Sequence, residues 1–333
     1  MRILRQAVSF RRIPGPVFLA VGFFDGVHKG HQLVLGGTVE RAREVGGQAW
    51  VLTFDRHPMA VLAPSKCPPL LCTLEERLHR LELSGVDGVL LLPFTRKLAV
   101  RKPETFIRWL CGAPPQTGTG QNAPSPGTRL REIRCGDNWR FGRRAAGTPE
   151  ELARYGGIYG YRVVIVPYAR YQGVEISSTR IRYAVREGRL KDAAAMLGRP
   201  FSIRDVVVRG RGLGRDRCVA TANLHPRSDV LPPNGVYAVR VLTGDAAYNG
   251  VANLGMHPTF TDVRPERPVL ETHLLGFEGD LYGQTIEVVF LERLRDECVF
   301  DSAEALASQI AEDIRNATLI FQQHGTPGPQ RSP

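Results

Sequence analysis

Two histidines three residues apart, His28 and His31, stand in the segment Gly22-Phe23-Phe24-Asp25-Gly26-Val27-His28-Lys29-Gly30-His31. A short apolar run over residues 17–22 precedes them, and a helical pattern over residues 31–45 follows. In an open α/β sheet, ligands sit at the carboxyl ends of the strands. Helix N-termini present free N–H groups and a positive dipole to phosphates. Two imidazoles at such a terminus can each donate a hydrogen bond to a phosphoryl oxygen. Gly26 and Gly30 let the backbone come close to a ligand. The expected chemistry is the handling of nucleotide phosphates. A lone histidine here would read as a helix cap or a surface residue; the pair after a strand reads as functional.

A second segment, Ile176-Ser177-Ser178-Thr179-Arg180-Ile181-Arg182, places three hydroxyls and two arginines at another expected helix start. Hydroxyls and first-turn N–H groups hold a phosphate, and arginine offers a planar, charge-matched fork. A plain serine cap with solvated arginines is the competing reading of this segment alone.

The elements that must position these residues alternate. Residues 17–22, 49–54, 89–92 and 161–167 read as buried strands, and 31–45 and 103–111 as helices. Thr73 with Glu76 forms a capping box ahead of Leu74, Leu78 and Leu81. Thr148-Pro149-Glu150-Glu151 is a further helix start. Alternation of this kind implies a Rossmann-like parallel sheet with helices on both faces. Residues 112–128, rich in Gly, Pro, Thr and Gln, read as a surface loop insertion. Near residue 200 the pattern changes. After two short helices, about 179–187 and 189–197, strands are expected at 203–209, 235–242, 248–254, 269–275 and 284–292. Turn-separated strands at this spacing imply an antiparallel barrel or sandwich. A last helix, 302–318, begins at an Asp301-x-x-Glu304 box with Leu306, Ile310 and Ile314 on one face. The expected division is 1–198, 199–322 and a disordered tail, 323–333.

Composition narrows the function classes. With 43% apolar and 23% charged residues among 333, the chain is neither disordered nor fibrous. The net charge of +11 divides unevenly: residues 1–200 carry +15 and residues 201–333 carry −4. Nearly all the basic residues are arginine, without a basic block or an aromatic–basic repeat, which argues against nucleic acid as partner. Six cysteines without a C-x-x-C pair form neither a disulfide framework nor a zinc site. A reducing, cytoplasmic compartment is expected. No run is long enough to span a membrane.

The N-terminal half resembles the adenylyltransferase module of the bacterial bifunctional riboflavin kinase / FMN adenylyltransferases, members of the wider H-x-G-H nucleotidyltransferase superfamily. The resemblance rests on four pieces: Gly22 to His31; Thr53-Phe54-Asp55-Arg56-His57-Pro58; Cys135-Gly136-Asp137-Asn138-Trp139-Arg140-Phe141-Gly142; and Ile176 to Arg182. Trp139 stands where the family usually has Phe. The resemblance implies that His28 and His31 stabilise charge on the ATP α-phosphate. It implies that Gly22, Phe24, Asp25, Gly26 and Asn138 position nucleotide or FMN, and that Ser177, Thr179 and Arg182 hold phosphates. FMN would attack ATP and expel pyrophosphate, with Mg²⁺ neutralising the leaving group.

The C-terminal half resembles the family's riboflavin kinase module. The matching stretches are Leu231 to Ala238, Asn249 to Gly255, Pro258-Thr259-Phe260, and Phe277 to Gly283, together with Glu271 in Leu270-Glu271-Thr272-His273. The resemblance marks Glu271 as the base that takes a proton from the ribityl hydroxyl. Glu271 and His273 share one face of a strand. Gly210 is implied in ATP binding, and Thr221 and Asn223 in holding Mg²⁺ and phosphate. The family's nucleotide loop, G-R-x-L-G-F-P-T-A-N, is altered here: Arg217, Cys218, Val219 and Ala220 replace Leu, Gly, Phe and Pro. Cysteine at a positive-φ position would be strained, and losing proline loosens the chain before Thr221. Two activities are therefore weighed: a bifunctional enzyme making FMN from riboflavin and FAD from FMN, or an FMN adenylyltransferase with a weak or inactive kinase module. A nucleotidyltransferase acting on another acceptor and a flavin- or RNA-binding regulator are the further readings. ATP, riboflavin and FMN are the expected small-molecule substrates, with no obligate protein partner.

Overall fold

The computed structural model describes residues 1–112, 129–209, 221–244, 246–256 and 268–324. The chain forms two compact units, Met1–Leu70 with Leu74–Ser178, and Leu71–Thr73 with Thr179–Pro333.

The first unit runs β1 (Arg2–Leu4), α1 (Ala7–Phe10), β2 (Val17–Val21), α2 (Lys29–Glu44), β3 (Gln48–Phe54), α3 (Pro58–Leu62), α4 (Leu74–Leu83), β4 (Gly88–Leu92), α5 (Arg96–Ala99), α6 (Pro103–Cys111), β5 (Leu130–Gly136), α7 (Pro149–Tyr159), β6 (Arg162–Val166) and a hairpin of β7 (Arg170–Tyr171) and β8 (Val174–Glu175). Six parallel strands form one sheet in the order β1-β4-β3-β2-β5-β6. Val17, Leu19 and Val21 of β2 face one core with Phe10, Phe106, Leu110 and Tyr155. Phe18 and Ala20 face the other, with Leu35, Ala42 and Leu81. Burial on both faces is why these strands read as unbroken apolar runs rather than alternating ones. Thr148 Oγ1 accepts the Glu151 N–H at 3.2 Å with Pro149 opening the helix, so the expected start signal of α7 acts as read, and Gly160 ends the helix in the left-handed region. The three-residue edge strand β1, the β7–β8 hairpin and β5 were not expected: β1 and the hairpin are too short to carry periodicity, and β5 interleaves Arg131, Glu132 and Arg134 with its apolar residues.

The strand order decides where a ligand can go. From β2 the chain moves through β3 to β4, then returns to place β5 on β2's other side. The crevice outside the carboxyl ends of β2 and β5 is therefore the topological switch point.

The second unit holds α8 (Ser178–Arg186, whose first residue groups with the first unit), α9 (Leu190–Leu197), β9 (Ser202–Val206), β10 (Thr221–Leu224), β11 (Gly235–Thr243), β12 (Ala246–Gly255), β13 (Val269–Leu274), β14 (Thr285–Arg295) and α10 (Ala303–His324). Its antiparallel sheet has the order β10-β13-β12-β11-β14-β9. A bridge between Val208, just past β9, and Asn223 of β10 joins the two edges. The expected barrel is thus closed beside Asn223. Ala222, Leu224, Leu270, Thr272, Leu274, Ala252 and Leu254 are buried, while Thr221 and Asn223 of β10, Glu271 and His273 of β13 and Asn253 of β12 keep exposure. Strand β10 was not expected, because its four residues follow the altered loop.

Two expectations for α10 are corrected. Ser302, not Asp301, caps it: Ser302 Oγ accepts the Ala305 N–H at 3.1 Å. The helix runs to His324 rather than 318, and Ala317 and Phe321 are its core contacts, whereas Leu306, Ile310 and Ile314 are half-buried. Asp313 on α10, almost fully buried, receives the Arg295 guanidinium from β14 at 2.9 and 2.8 Å. Removing one partner of such a pair strands the other. Asp313→Ala is expected to cost about 3 kcal/mol, read in calorimetry of the full chain as earlier melting of the second unit alone. The expected insertion beyond Gly112 and the tail beyond His324 lie outside the described residues.

Candidate active sites

The first site starts from a turn that most side chains avoid. Phe24, Gly26 and Val27 all have positive φ, at 61°, 77° and 42°. For Phe24 and Val27 this conformation is strained, and such strain collects at functional sites. The buried Phe24 ring lies on Gly22, where an added Cβ would come within 2.9 Å of it. The Val27 N–H donates to the Phe24 carbonyl at 3.2 Å, closing the turn. The buried Asp25 turns its carbonyl to Ser178 Oγ at 3.0 Å, which ties this loop to the start of α8.

The turn delivers His28 to the N-cap of α2. Its Nδ1 accepts the His31 N–H at 3.4 Å, so in the neutral ring the proton sits on Nε2. His28 is thus a helix cap and also a donor-bearing imidazole. The two rings stack with centroids 3.6 Å apart and 17° between planes. His31 also meets the edge of Phe24 at 5.2 Å. Burial, and then the neighbouring His28, hold His31 well below its ordinary value of 6.5. His31 Nδ1 is buried without a hydrogen-bond partner, although the ring as a whole is only half-buried. At neutral pH His31 is therefore uncharged.

Asn138 is exposed on the loop after β5, and so lies across the switch point from the histidine loop. Trp139 beside it stacks on Phe141 at 4.8 Å and 18°, so the exchange from Phe keeps a flat aromatic. Ser177 lies in the first unit, just before α8. Thr179 and Arg182 belong to the second unit; Arg182 Nη1 donates to Thr179 Oγ1 at 3.3 Å, one turn apart on α8.

The second site is a row across three strands. In register, Asn223 of β10, Glu271 of β13 and Asn253 of β12 are direct neighbours. Thr221 lies opposite His273, two residues along on the same face. Burial, and then Glu297, push the Glu271 carboxyl above its ordinary value of 4.5. Glu297 packs onto Gly255, so closely that a Cβ there would overlap its carboxylate. Asn253 and Glu297 were not singled out by sequence. Asn253 had a signal, its period-two place in a matching strand, but Glu297 had none. Gly210 and the altered loop lie outside the described residues.

The five described cysteines carry free thiols, and burial pushes Cys111 up to about 12 and Cys135 up to about 11. Neither is a thiolate nucleophile at neutral pH. Among the described residues no group of three or more His, Cys, Asp or Glu could hold a metal ion.

The Riboflavin kinase family matches residues 197–321, and the FAD synthetase family matches residues 11–115. The bifunctional riboflavin kinase/FMN adenylyltransferase of Escherichia coli (strain K12) is 37% identical over 323 residues, 96% of this chain and 98% of that protein. The protein of the same description from Bacillus subtilis (strain 168) is 33% identical, covering 91% and 92%. A solved structure described as a macrolide-efflux protein from Streptococcus pneumoniae has a TM-score of 0.72 and 28% identity, covering 95% of this chain and 98% of that one. Two unlike folds on one chain are thus matched end to end by relatives of one kind, and the chain belongs to the bifunctional riboflavin kinase/FMN adenylyltransferase family.

Proposed function

We propose that the second unit phosphorylates riboflavin to FMN with ATP, and that the first transfers AMP from a second ATP to FMN, giving FAD and pyrophosphate. The observation that carries this reading is the coexistence of two separate sites: stacked imidazoles at a switch point, and a carboxylate flanked by Asn223 and Asn253. The kinase family match runs across the altered loop, which favours the bifunctional reading over an adenylyltransferase alone.

In adenylyl transfer an FMN phosphate oxygen attacks the α-phosphorus of ATP, and the bond to the bridging oxygen breaks. No side chain need become covalently attached. The His28 Nε2–H and the His31 imidazole donate to oxygens on which charge builds, while Gly22, Phe24, Asp25 and Gly26 fix the backbone that aims them. Asn138 positions nucleotide or flavin, and Ser177, Thr179 and Arg182 hold phosphates. In phosphorylation Glu271 takes the proton of the ribityl hydroxyl as that oxygen attacks the γ-phosphorus and ADP leaves.

Thr221 and Asn223 offer neutral oxygen donors next to the Glu271 carboxylate, the hard set that suits Mg²⁺ held together with substrate phosphates. When bound, Mg²⁺ neutralises charge on the transferring phosphates. The proposed functional division is 1–198 for adenylylation and 199–322 for phosphorylation, with Gly210 on the kinase ATP. No helix among the described residues is long and apolar enough to cross a membrane. The proposed place of action is the cytoplasm and the proposed partners are small molecules alone, without nucleic acid or an obligate protein partner.

The test supplies riboflavin, ATP and Mg²⁺ to the purified full chain. FMN and then FAD are expected. Thr221→Ala is expected to stop FMN formation while FAD is still made from supplied FMN. FAD made only from supplied FMN by the unaltered chain would remove the kinase half of the proposal.

A further inference from the structure

We infer that Arg77 is a positioning residue for adenylyl transfer, pinning the strained histidine loop to the end of the neighbouring strand. Arg77 lies on α4 and is only 3% exposed. Its Nη1 donates to the Phe23 carbonyl at 3.1 Å and its Nη2 to the Phe54 carbonyl at 2.6 Å. The guanidinium also lies 4.1 Å from the centre of the Phe23 ring. Phe54 ends β3, and Phe23 lies two residues past the end of β2, its neighbour in the sheet. One planar group thus holds two backbones at the carboxyl edge of the sheet, on the β3 side of β2 and so next to the β2–β5 switch point. Thr53 Oγ1 donates to the same Phe23 carbonyl at 3.0 Å.

The held carbonyl is the one joined to Phe24, the first positive-φ residue of the turn that delivers His28 and His31. A strained turn persists only where its surroundings over-determine it. Without Arg77 the Phe23 carbonyl keeps only the Thr53 hydroxyl and loses its tie to Phe54, so the peptide between Phe23 and Phe24 is held less firmly and the imidazoles lose their aim at the α-phosphate. Misplacement of this kind costs rate more than binding. Lysine does not replace arginine here, because one ammonium on a flexible stem cannot serve two divergent carbonyls and also lie flat on a ring.

This role rests on the reading that His28 and His31 carry adenylyl transfer, and the same chain supplies its own control through riboflavin phosphorylation. The experiment measures both activities of full-length Arg77→Lys, Arg77→Met and His31→Ala. For Arg77→Lys, kcat for FAD formation from FMN is expected to fall tenfold or more. The KM for ATP should change less than about threefold, and kinase activity should stay within about twofold. Arg77→Met should lose more. Equal loss of both activities in Arg77→Lys, a change confined to KM, or full retention of adenylylation overturns the role. If Arg77→Met does not fold, the lysine variant decides. His31→Ala that keeps FAD formation overturns the site itself and the role of Arg77 with it. His31→Ala that is inactive beside fully active Arg77 variants overturns the role of Arg77 alone.

Discussion

FAD formation from supplied FMN falls by about 10²–10³-fold in His31→Ala, the loss typical of removing one donor aimed at developing charge. Riboflavin phosphorylation by the same variant stays within about twofold, because Glu271 and its neighbours lie on another fold. The effect belongs mainly to kcat, since the imidazole acts on charge that grows during attack. His28→Ala loses at least as much adenylylation, and it also loses the cap on α2, worth about 1 kcal/mol. Burial of His31, and then its neighbour His28, set a pH signature as well. Below about 6.5 the unfolded chain protonates His31 while the folded chain does not. Stability therefore falls as pH is lowered from that value, and rises back to a plateau above it. His31→Gln removes this contribution, which urea titrations of both chains between pH 5 and pH 7 (about the range in which histidine titrates) would read as a flatter fall. Retained FAD formation in His31→Ala would mean that the histidine loop is not the adenylyl site.

Glu271→Gln is expected to lower riboflavin phosphorylation by about 10²–10⁴-fold, the span of a lost general base. FAD formation from supplied FMN should be unchanged. Glutamine keeps the size and the strand register, so packing is preserved and only the proton acceptor is lost. The environment of Glu271 sharpens this expectation. Burial first, and Glu297 second, raise its affinity for a proton. A base must be deprotonated, so the acid limb of the kinase profile lies above the ordinary carboxylate range. Replacing Glu297 by Gln removes the second cause and moves that limb to lower pH. Measured kinase rates from pH 4 to 8 (about four units around the limb) in the two variants separate the roles. Loss of rate locates the base in Glu271→Gln, and a displaced limb marks the neighbour in Glu297→Gln. A Glu271→Gln enzyme with normal phosphorylation would place the base elsewhere.

Much of this was written in local residue order. The apolar runs of β2, β3 and β4 declared a sheet buried on both faces, and Thr148 with Pro149 declared the start of α7. The H-x-G-H loop pointed to the phosphate site proposed above, because a strand end followed by a helix start is a local event. Strand β10 was illegible, since its four residues have no period of their own and gain strand geometry only from β13. The last turns of α10 were missed for a related reason: their buried face is set by Ala317 and Phe321 meeting the sheet.

What the sequence by itself determined is which chemistry is present and on which kind of element: imidazoles at a helix start, a carboxylate on a half-exposed strand, two units of unlike topology. The uneven charge, +15 against −4, likewise lay in the sequence and now coincides with the half proposed to hold two phosphorylated substrates. The tertiary structure decided everything that depends on distant residues. It set β5 beside β2 and so created the switch point, stacked His31 on His28, brought Glu297 toward Glu271, and laid Arg77 across two carbonyls from neighbouring strands. The physical reason is that hydrogen-bonded caps and apolar periodicity act over a few residues. Strand order, desolvation and the meeting of charges instead depend on chain segments tens of residues apart, which are brought together only when the cores close.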